Sequence, residues 1–331
     1  MAKPSFIFLV LWVIVICLAP GCVGVKISLE TESKAPLQEA LLQGKEAGKV
    51  LILPVRGILS TSPKKDLVRE RAGLVQDVVA QLRLAEKDPE IKALLLEINS
   101  PGGTITASDI LYQEIMAFKK RTKVKIVAAF LDVAASGGYY IALPADSLMA
   151  HPTTITGSVG VIFINPKVAG LMDKLGVAVE VNKSGQEKDI GSVFRPSTPE
   201  EQKIFQSLTG KLGKKFIDLV AKHRSLEPKA LDNIATARIY LADEALELKL
   251  IDRIGYLDEA ISEAKSLAGL SPEAKVVVYR RSKLPNDTPY NLSTSTYPNL
   301  GGPLVDLALP EFIPDFNPGF YYLWMPGSMG P

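Results

Sequence analysis

Three short apolar runs set the frame for this chain: Val50–Val55, Ala93–Ile98 and Val124–Phe130. Each has the length of a buried strand rather than of a helix. Between the first two, Leu74, Val75, Val78, Val79 and Leu82 recur at helical spacing. That spacing predicts a helix over 66–87 that stops near Pro89. A second helix is expected over 107–120, between the second and third runs. Strands alternating with helices predict an α/β fold on a mixed or parallel sheet. In such a sheet the working loops gather beyond the carboxyl ends of the strands.

Further along, the pattern predicts a helix over 167–175, a strand over 177–182, a polar loop over 183–196, and helices over 199–224, 228–234 and 242–248. A last helix ends at Leu267, and Val276–Tyr279 reads as a late strand. Residues 26–47 are polar and weakly patterned, a stalk with an approach helix. Residues 285–331 are rich in Pro, Asn and Gly and poor in charge, which predicts an irregular tail. Within it, Phe320–Met325 is apolar enough to dock on something.

The third run leads into Ala134-Ala135-Ser136-Gly137-Gly138-Tyr139-Tyr140. A serine at a strand-to-helix corner projects its hydroxyl from a tight turn. The next backbone N–H, that of Gly137, then points into the same space. The two glycines let another backbone come close. The same heptapeptide also reads as a small-residue turn closing a βα unit. The second run ends in Asn99-Ser100-Pro101-Gly102-Gly103-Thr104, a loop that breaks both periods. Both loops follow strands, so they can lie side by side.

Charge and composition exclude several classes. Lys and Arg number 38 against 36 Asp and Glu, so there is no electrostatic case for nucleic acid. The two Cys, Cys17 and Cys22, both lie in the N-terminal apolar segment. No disulfide, no metal site and no cofactor are expected in the body. The two His are His151 and His223. Lys3 precedes an uncharged run from Pro4 to Val25, with Phe6–Leu18 its apolar heart. Residues 1–25 therefore read as a signal or membrane-anchor segment. Leu18-Ala19-Pro20-Gly21-Cys22 resembles a lipoprotein cleavage site, with Cys22 as the acylated residue. A retained helix, a lipid anchor and a cleaved signal all place the body across the membrane, with Lys3 left inside.

A serine nucleophile needs a base, and Lys188, Lys183 and His151 are the candidates. At this point the chain resembles the signal peptide peptidase A family, Ser–Lys membrane proteases related to Clp protease and the crotonases. The matching residues are Ile98-Asn99-Ser100-Pro101-Gly102-Gly103, Ala135-Ser136-Gly137-Gly138-Tyr139-Tyr140, Thr156-Gly157-Ser158-Val159-Gly160-Val161, and Lys188-Asp189-Ile190-Gly191-Ser192 with Phe194-Arg195-Pro196. Phe216, Val220, Arg224, Glu244–Leu248 and Leu250–Asp252 follow in the family's order. The resemblance implies a Clp/crotonase-like spiral of βα units over 48–284. It implies Ser136 as nucleophile, Lys188 as general base and Ser158 as the hydroxyl that orients the amine. Gly103 and Gly137 become the backbone donors of an oxyanion hole. Such a dyad requires a neutral amine, a drop of about three pKa units or roughly 4 kcal/mol from an ordinary lysine, which burial supplies. Asp189 is then expected to point away from Lys188.

The implied substrates are cleaved signal peptides and other unfolded apolar peptides at the cytoplasmic membrane. The catalytic domain would face the external, periplasmic side. By the family's precedent, several protomers form a homo-oligomer in which Ser and Lys meet across a subunit boundary. His151 departs from the family's pattern and keeps a Ser–His mechanism open; otherwise it is a strand-end residue. His223 is expected on the solvated side of its helix. The same residues leave room for a crotonase-like acyl-CoA enzyme and for an inactive membrane scaffold.

Overall fold

The computed structural model describes residues 35–65, 70–71, 73–226, 228–281, 287–291 and 318–325. These fall in one compact unit, Glu32–Pro331. The apolar N-terminal segment with Lys3, Cys17 and Cys22, the first part of the expected stalk and most of the tail lie outside the described residues.

The strands, in chain order, are β1 (Gln38–Gln43), β2 (Glu46–Arg56), β3 (Lys64–Lys65), β4 (Glu70–Arg71), β5 (Ile91–Ser100), β6 (Gly102–Thr104) and β7 (Lys125–Ala135). There follow β8 (Ser147–Ala150), β9 (Ile155–Gly157), β10 (Ile162–Ile164), β11 (Ile239–Leu241), β12 (Arg253–Ile254), β13 (Ala274–Arg280) and β14 (Gly319–Leu323). The helices are α1 (Leu74–Ala85), α2 (Ile105–Thr122), α3 (Gly137–Ala142), α4 (Ala169–Leu175), α5 (Pro199–Arg224), α6 (Pro228–Ile234), α7 (Ala242–Glu247) and α8 (Leu257–Leu267).

The main sheet runs β1-β13-β2-β5-β7-β8-β12, with β9 paired to the far end of β7 and β11 to β9. The neighbours from β13 to β12 are parallel, whereas β1 pairs antiparallel with β13 and β11 with β9. The sheet is therefore mixed. The alternation of side chains along each strand feeds two cores. Leu51, Leu53, Leu94, Leu96 and Ile126 face α1, α2 and α5 through Leu82, Leu111, Ile115, Phe118 and Phe216. Val50, Ile52, Leu95 and Val127 face α8 through Leu257, Ile261 and Ala264. Burial on both faces is why the runs read as continuous rather than alternating. Each large side chain so buried contributes roughly 1.5–3 kcal/mol.

Several expectations are corrected. Residues 38–43 form a strand, not an approach helix, because the edge of β13 offers them a ladder. The first helix begins at Leu74 rather than 66; Glu70–Arg71 pairs with Lys64–Lys65 instead. Residues 177–182 form no strand, and Val177, Val179 and Val181 are exposed. Their alternation has the strand period, but among the described residues no neighbour completes a ladder for it. The tail is not irregular throughout, because Gly319–Leu323 is β14.

Candidate active site

The carboxyl ends of β5 and β7 meet at one corner of the molecule. Strand β7 ends at Ala135, and α3 begins at Gly137. Ser136 makes the turn between them with φ 53° and ψ −116°. Its N–H donates to the Gly157 carbonyl on β9 at 2.8 Å, and its carbonyl accepts from Tyr140 N at 2.9 Å. These two bonds hold a conformation that L residues rarely adopt. The Ser136 side chain is buried, and its Oγ has no hydrogen-bond partner. A buried hydroxyl without a partner is costly for folding alone, and it is available for chemistry.

The small residues around it are dictated by close packing. A Cβ on Gly137 would stand 2.5 Å from Ser108 Oγ and 3.0 Å from Gly102 Cα. A Cβ on Gly138 would stand 2.4 Å from the Ser100 carbonyl. Gly102, at φ +101°, comes equally close, 2.7 Å from its would-be Cβ to Gly137 N. The loop before β6 is held by Ser100 Oγ, which donates to the Gly57 carbonyl at 2.7 Å and accepts from Gly102 N at 3.1 Å. Thr104 then caps α2 by accepting from Ala107 N at 3.2 Å. Gly103 lies on β6 opposite Tyr322 of β14, bridged on its other side to Leu59.

Ser158 follows β9 directly, with φ 51° and little exposure, and its N–H donates to the Arg238 carbonyl at 2.8 Å. Since β9 also receives the Ser136 N–H, Ser136, Gly137, Gly102, Gly103 and Ser158 gather at one corner. Lys188 is not hydrogen-bonded to Ser136, whose Oγ has no partner. It lies exposed on a single 3₁₀ turn, Gln186–Asp189. That turn is fastened by its neighbour Asp189, which accepts from Lys183 Nζ at 2.7 Å and Arg195 Nε at 2.8 Å. Arg195 also pairs with Glu201 at the start of α5, where Thr198 and Glu201 form a capping box. The Arg195 guanidinium first, and Lys183 second, hold the Asp189 carboxyl well below the usual carboxylate range. Asp189 thus directs its charge to these two partners.

The histidines lie elsewhere. His151 Nδ1 bonds Thr153 Oγ1 at 2.8 Å, and its ring stands edge-on to Tyr256 at 5.1 Å. It is the strand-end residue expected after β8, and no Ser136–His151 hydrogen bond forms. His223 is not on a solvated face: it is half-buried and bonds the Tyr112 hydroxyl at 2.8 Å. Burial, then Lys222, Lys119 and Arg224, lower its pKa.

Two features were missed by reading the sequence. One is Gly102, whose positive φ makes the close approach to Gly137; the Pro-Gly-Gly triplet was its signal. The other is an aromatic cluster beside the corner. Tyr140 stacks on Tyr322 at 5.1 Å, and Phe216 lies 4.9 Å from Tyr140 and 4.7 Å from Tyr322. Burial raises the Tyr140 hydroxyl's pKa, as does its bond to Asp109 at 2.9 Å. Burial pushes that of Tyr322 up to about 12.

Comparison with known proteins places the chain among peptidases. The model described as Peptidase family S49 matches residues 118–271, and that of Clp protease matches residues 68–160. The protein named "Putative signal peptide peptidase SppA" from Enterococcus faecium is 36% identical over 251 residues, 76% of this chain and 71% of that one. Protease 4 of Salmonella typhi is 35% identical over 191 residues, 58% of this chain and 31% of that one. The chloroplastic serine protease SPPA of Arabidopsis thaliana is 32% identical over 240 residues, 72% of this chain and 34% of that one. This chain therefore spans about a third of the length of the last two. Among solved structures, a ClpP1 mutant from Listeria monocytogenes aligns at TM-score 0.41 and 18% identity over 63% of this chain and 94% of its own, a distant likeness.

Proposed function

The chain belongs to peptidase family S49 and is a serine-type endopeptidase, and from that premise we propose that Ser136 is its nucleophile and Lys188 its general base. The observation that carries the first assignment is the buried, unpartnered Ser136 Oγ on a strained strand-to-helix turn. Family membership sets aside the acyl-CoA enzyme and the inactive scaffold.

In the proposed reaction the neutral Lys188 amine takes the Ser136 hydroxyl proton as Oγ attacks the scissile carbonyl carbon. The resulting oxyanion accepts from the N–H groups of Gly103 and Gly137, each such donor typically supplying about 3 kcal/mol in the transition state. The ammonium returns the proton to the leaving amine; a water, deprotonated by the same amine, then attacks the acyl carbon, and the ammonium gives that proton to Ser136 Oγ as the acyl–Oγ bond breaks. Ser158 orients the amine.

The exposure of Lys188 in one chain supports a dyad completed between subunits. So does the apolar surface near it, where Leu171, Leu175, Val177, Val179 and Val181 are all exposed. A second copy covering that surface would also desolvate the amine. The proposed substrates are cleaved signal peptides and other unfolded apolar peptides. The proposed location is the cytoplasmic membrane, with the catalytic unit on its external side. Anchoring rests on the Phe6–Leu18 segment. Among the described residues no helix is long and apolar enough to cross a membrane.

The test is hydrolysis of casein and of a synthetic signal peptide by wild type and by Ser136→Ala, Lys188→Ala and His151→Ala. Loss in the first two with retention in the third is expected. Mixing inactive Ser136→Ala and Lys188→Ala chains should restore part of the activity if the dyad spans subunits. Activity in Lys188→Ala with loss in His151→Ala would overturn the base assignment.

A further inference from the structure

Strand β11 comes from far along the chain, and with the residues just before it grips the turn Gly157-Ser158-Val159-Gly160. It pairs antiparallel with β9, Ile239 opposite Gly157 and Tyr240 opposite Thr156. The Arg238 carbonyl, one residue before β11, accepts the Ser158 N–H at 2.8 Å. The two segments also press together on both sides of that bond. A Cβ on Gly157 would stand 2.5 Å from the Tyr240 ring and 3.0 Å from the Arg238 carbonyl. One on Gly160 would stand 2.5 Å from the Ala237 Cβ. Ser158 has φ 51° and Ala237 has φ 57°. Two non-glycine residues in the left-handed region thus stand at the two ends of one short contact. Such conformations persist only where the surroundings over-determine them, and they cluster at working sites.

The Arg238 side chain supplies part of that determination. Its guanidinium lies over the Tyr240 ring, 4.7 Å from the centroid, in cation–π contact. Its Nη2 donates to Glu244 Oε1 at 2.8 Å. Glu244 Oε2 in turn accepts the Leu241 N–H at 3.1 Å, at the start of α7. Tyr240 is buried, and its hydroxyl donates to the Asn233 carbonyl at 3.2 Å. The guanidinium is therefore tied to two fixed groups, and its own backbone carbonyl is tied to Ser158. More than half of the Arg238 side chain is exposed. An exposed ion pair of this kind adds little to stability, which leaves bracing the turn as its main effect.

We propose that Arg238 is a positioning residue for the reaction. Braced between Tyr240 and Glu244, it holds the carbonyl that fixes Ser158, and through Ser158 it sets the approach of the Lys188 amine. The proposal rests on Ser158 being the hydroxyl that orients that amine. Arg195 fastens the turn that carries Lys188; Arg238 fastens the hydroxyl that the amine must meet.

The test is a double-mutant cycle, read by hydrolysis of a synthetic signal peptide by the full chain. Arg238→Ala should melt close to wild type and lower kcat by about tenfold, the scale of a small misplacement near the reacting groups, with KM little changed. Arg238→Lys, which keeps a cation for the ring and for Glu244, should recover part of that loss. In a Ser158→Ala background Arg238→Ala should cost nothing further, because the hydroxyl it positions is gone. An equal loss in both backgrounds, a change confined to KM, or an unchanged kcat in folded Arg238→Ala would overturn the positioning role. Should Arg238→Ala not fold, Glu244→Gln carries the same cycle: it weakens the brace, keeps an acceptor for the Leu241 N–H, and should lower kcat only where Ser158 is present. Full activity in Ser158→Ala would instead overturn the reading of Ser158 on which the proposal rests.

Discussion

The Ser136 amide donates to the Gly157 carbonyl at 2.8 Å, which ties the proposed nucleophile's backbone to the strand that precedes Ser158. Gly157 itself sits at φ +87°, with a would-be Cβ 2.5 Å from the Tyr240 ring and 3.0 Å from the Arg238 carbonyl. Two of the proposed functional serines therefore depend on one glycine. Gly157→Ala is expected to cost about 1–3 kcal/mol, from a strained φ and a ring that must move. Urea denaturation measures this, and hydrolysis should fall with it; an unchanged midpoint would show that the Tyr240 ring yields freely.

Ser136→Ala should separate stability from activity. The hydroxyl it removes is buried and unpartnered, so its loss relieves a desolvation penalty of about 1–3 kcal/mol rather than breaking a bond. The variant is expected to melt no lower than wild type while losing hydrolysis by about a thousandfold or more, the scale seen when a nucleophile is removed. A lower melting temperature would reveal a structural bond to the hydroxyl.

Arg195 acts on the Lys188 turn through Asp189 and Glu201. Arg195→Ala should leave the fold intact and lower kcat by about tenfold to a hundredfold, the cost of misplacing a catalytic group by about an ångström. KM should change little, because the residue touches no substrate in this reading. Arg195→Lys should restore only part of kcat, since it lacks the planar fork that spans both carboxylates. A change confined to KM would contradict a positioning role.

His223 supplies a pH dependence. Its folded pKa lies below the unfolded value of 6.5, chiefly through burial. The unfolded chain then binds the proton more readily than the folded one, so this contribution is complete above about 6.5 and is lost as pH falls through the depressed value. Denaturation midpoints should fall between pH 7.5 and 5.5 in wild type and fall less in His223→Gln. Equal falls in both would assign the acid sensitivity to other groups.

Local pattern was enough for the central strands of the sheet and for the corner. The buried runs at Val50, Ala93 and Val124 became β2, β5 and β7, because a strand covered on both faces must be apolar throughout. The Ser-Gly-Gly turn was legible because close backbone approach excludes a Cβ. Pairing between distant segments was not legible. Residues 38–43 and 319–323 carry no signal that names β13 or β6 as their partner, since a ladder is made by backbone groups that every residue has. The same limit explains 177–182, whose alternation is that of a strand but which meets no edge among the described residues.

By itself the order of residues determined that this is an α/β chain with a serine at a strand-to-helix corner, because strand and helix periods and tight turns are local properties. Only the tertiary structure decided which backbone lies over that serine and where Lys188 stands relative to it. Those depend on contacts between segments far apart in the chain, which no local period encodes.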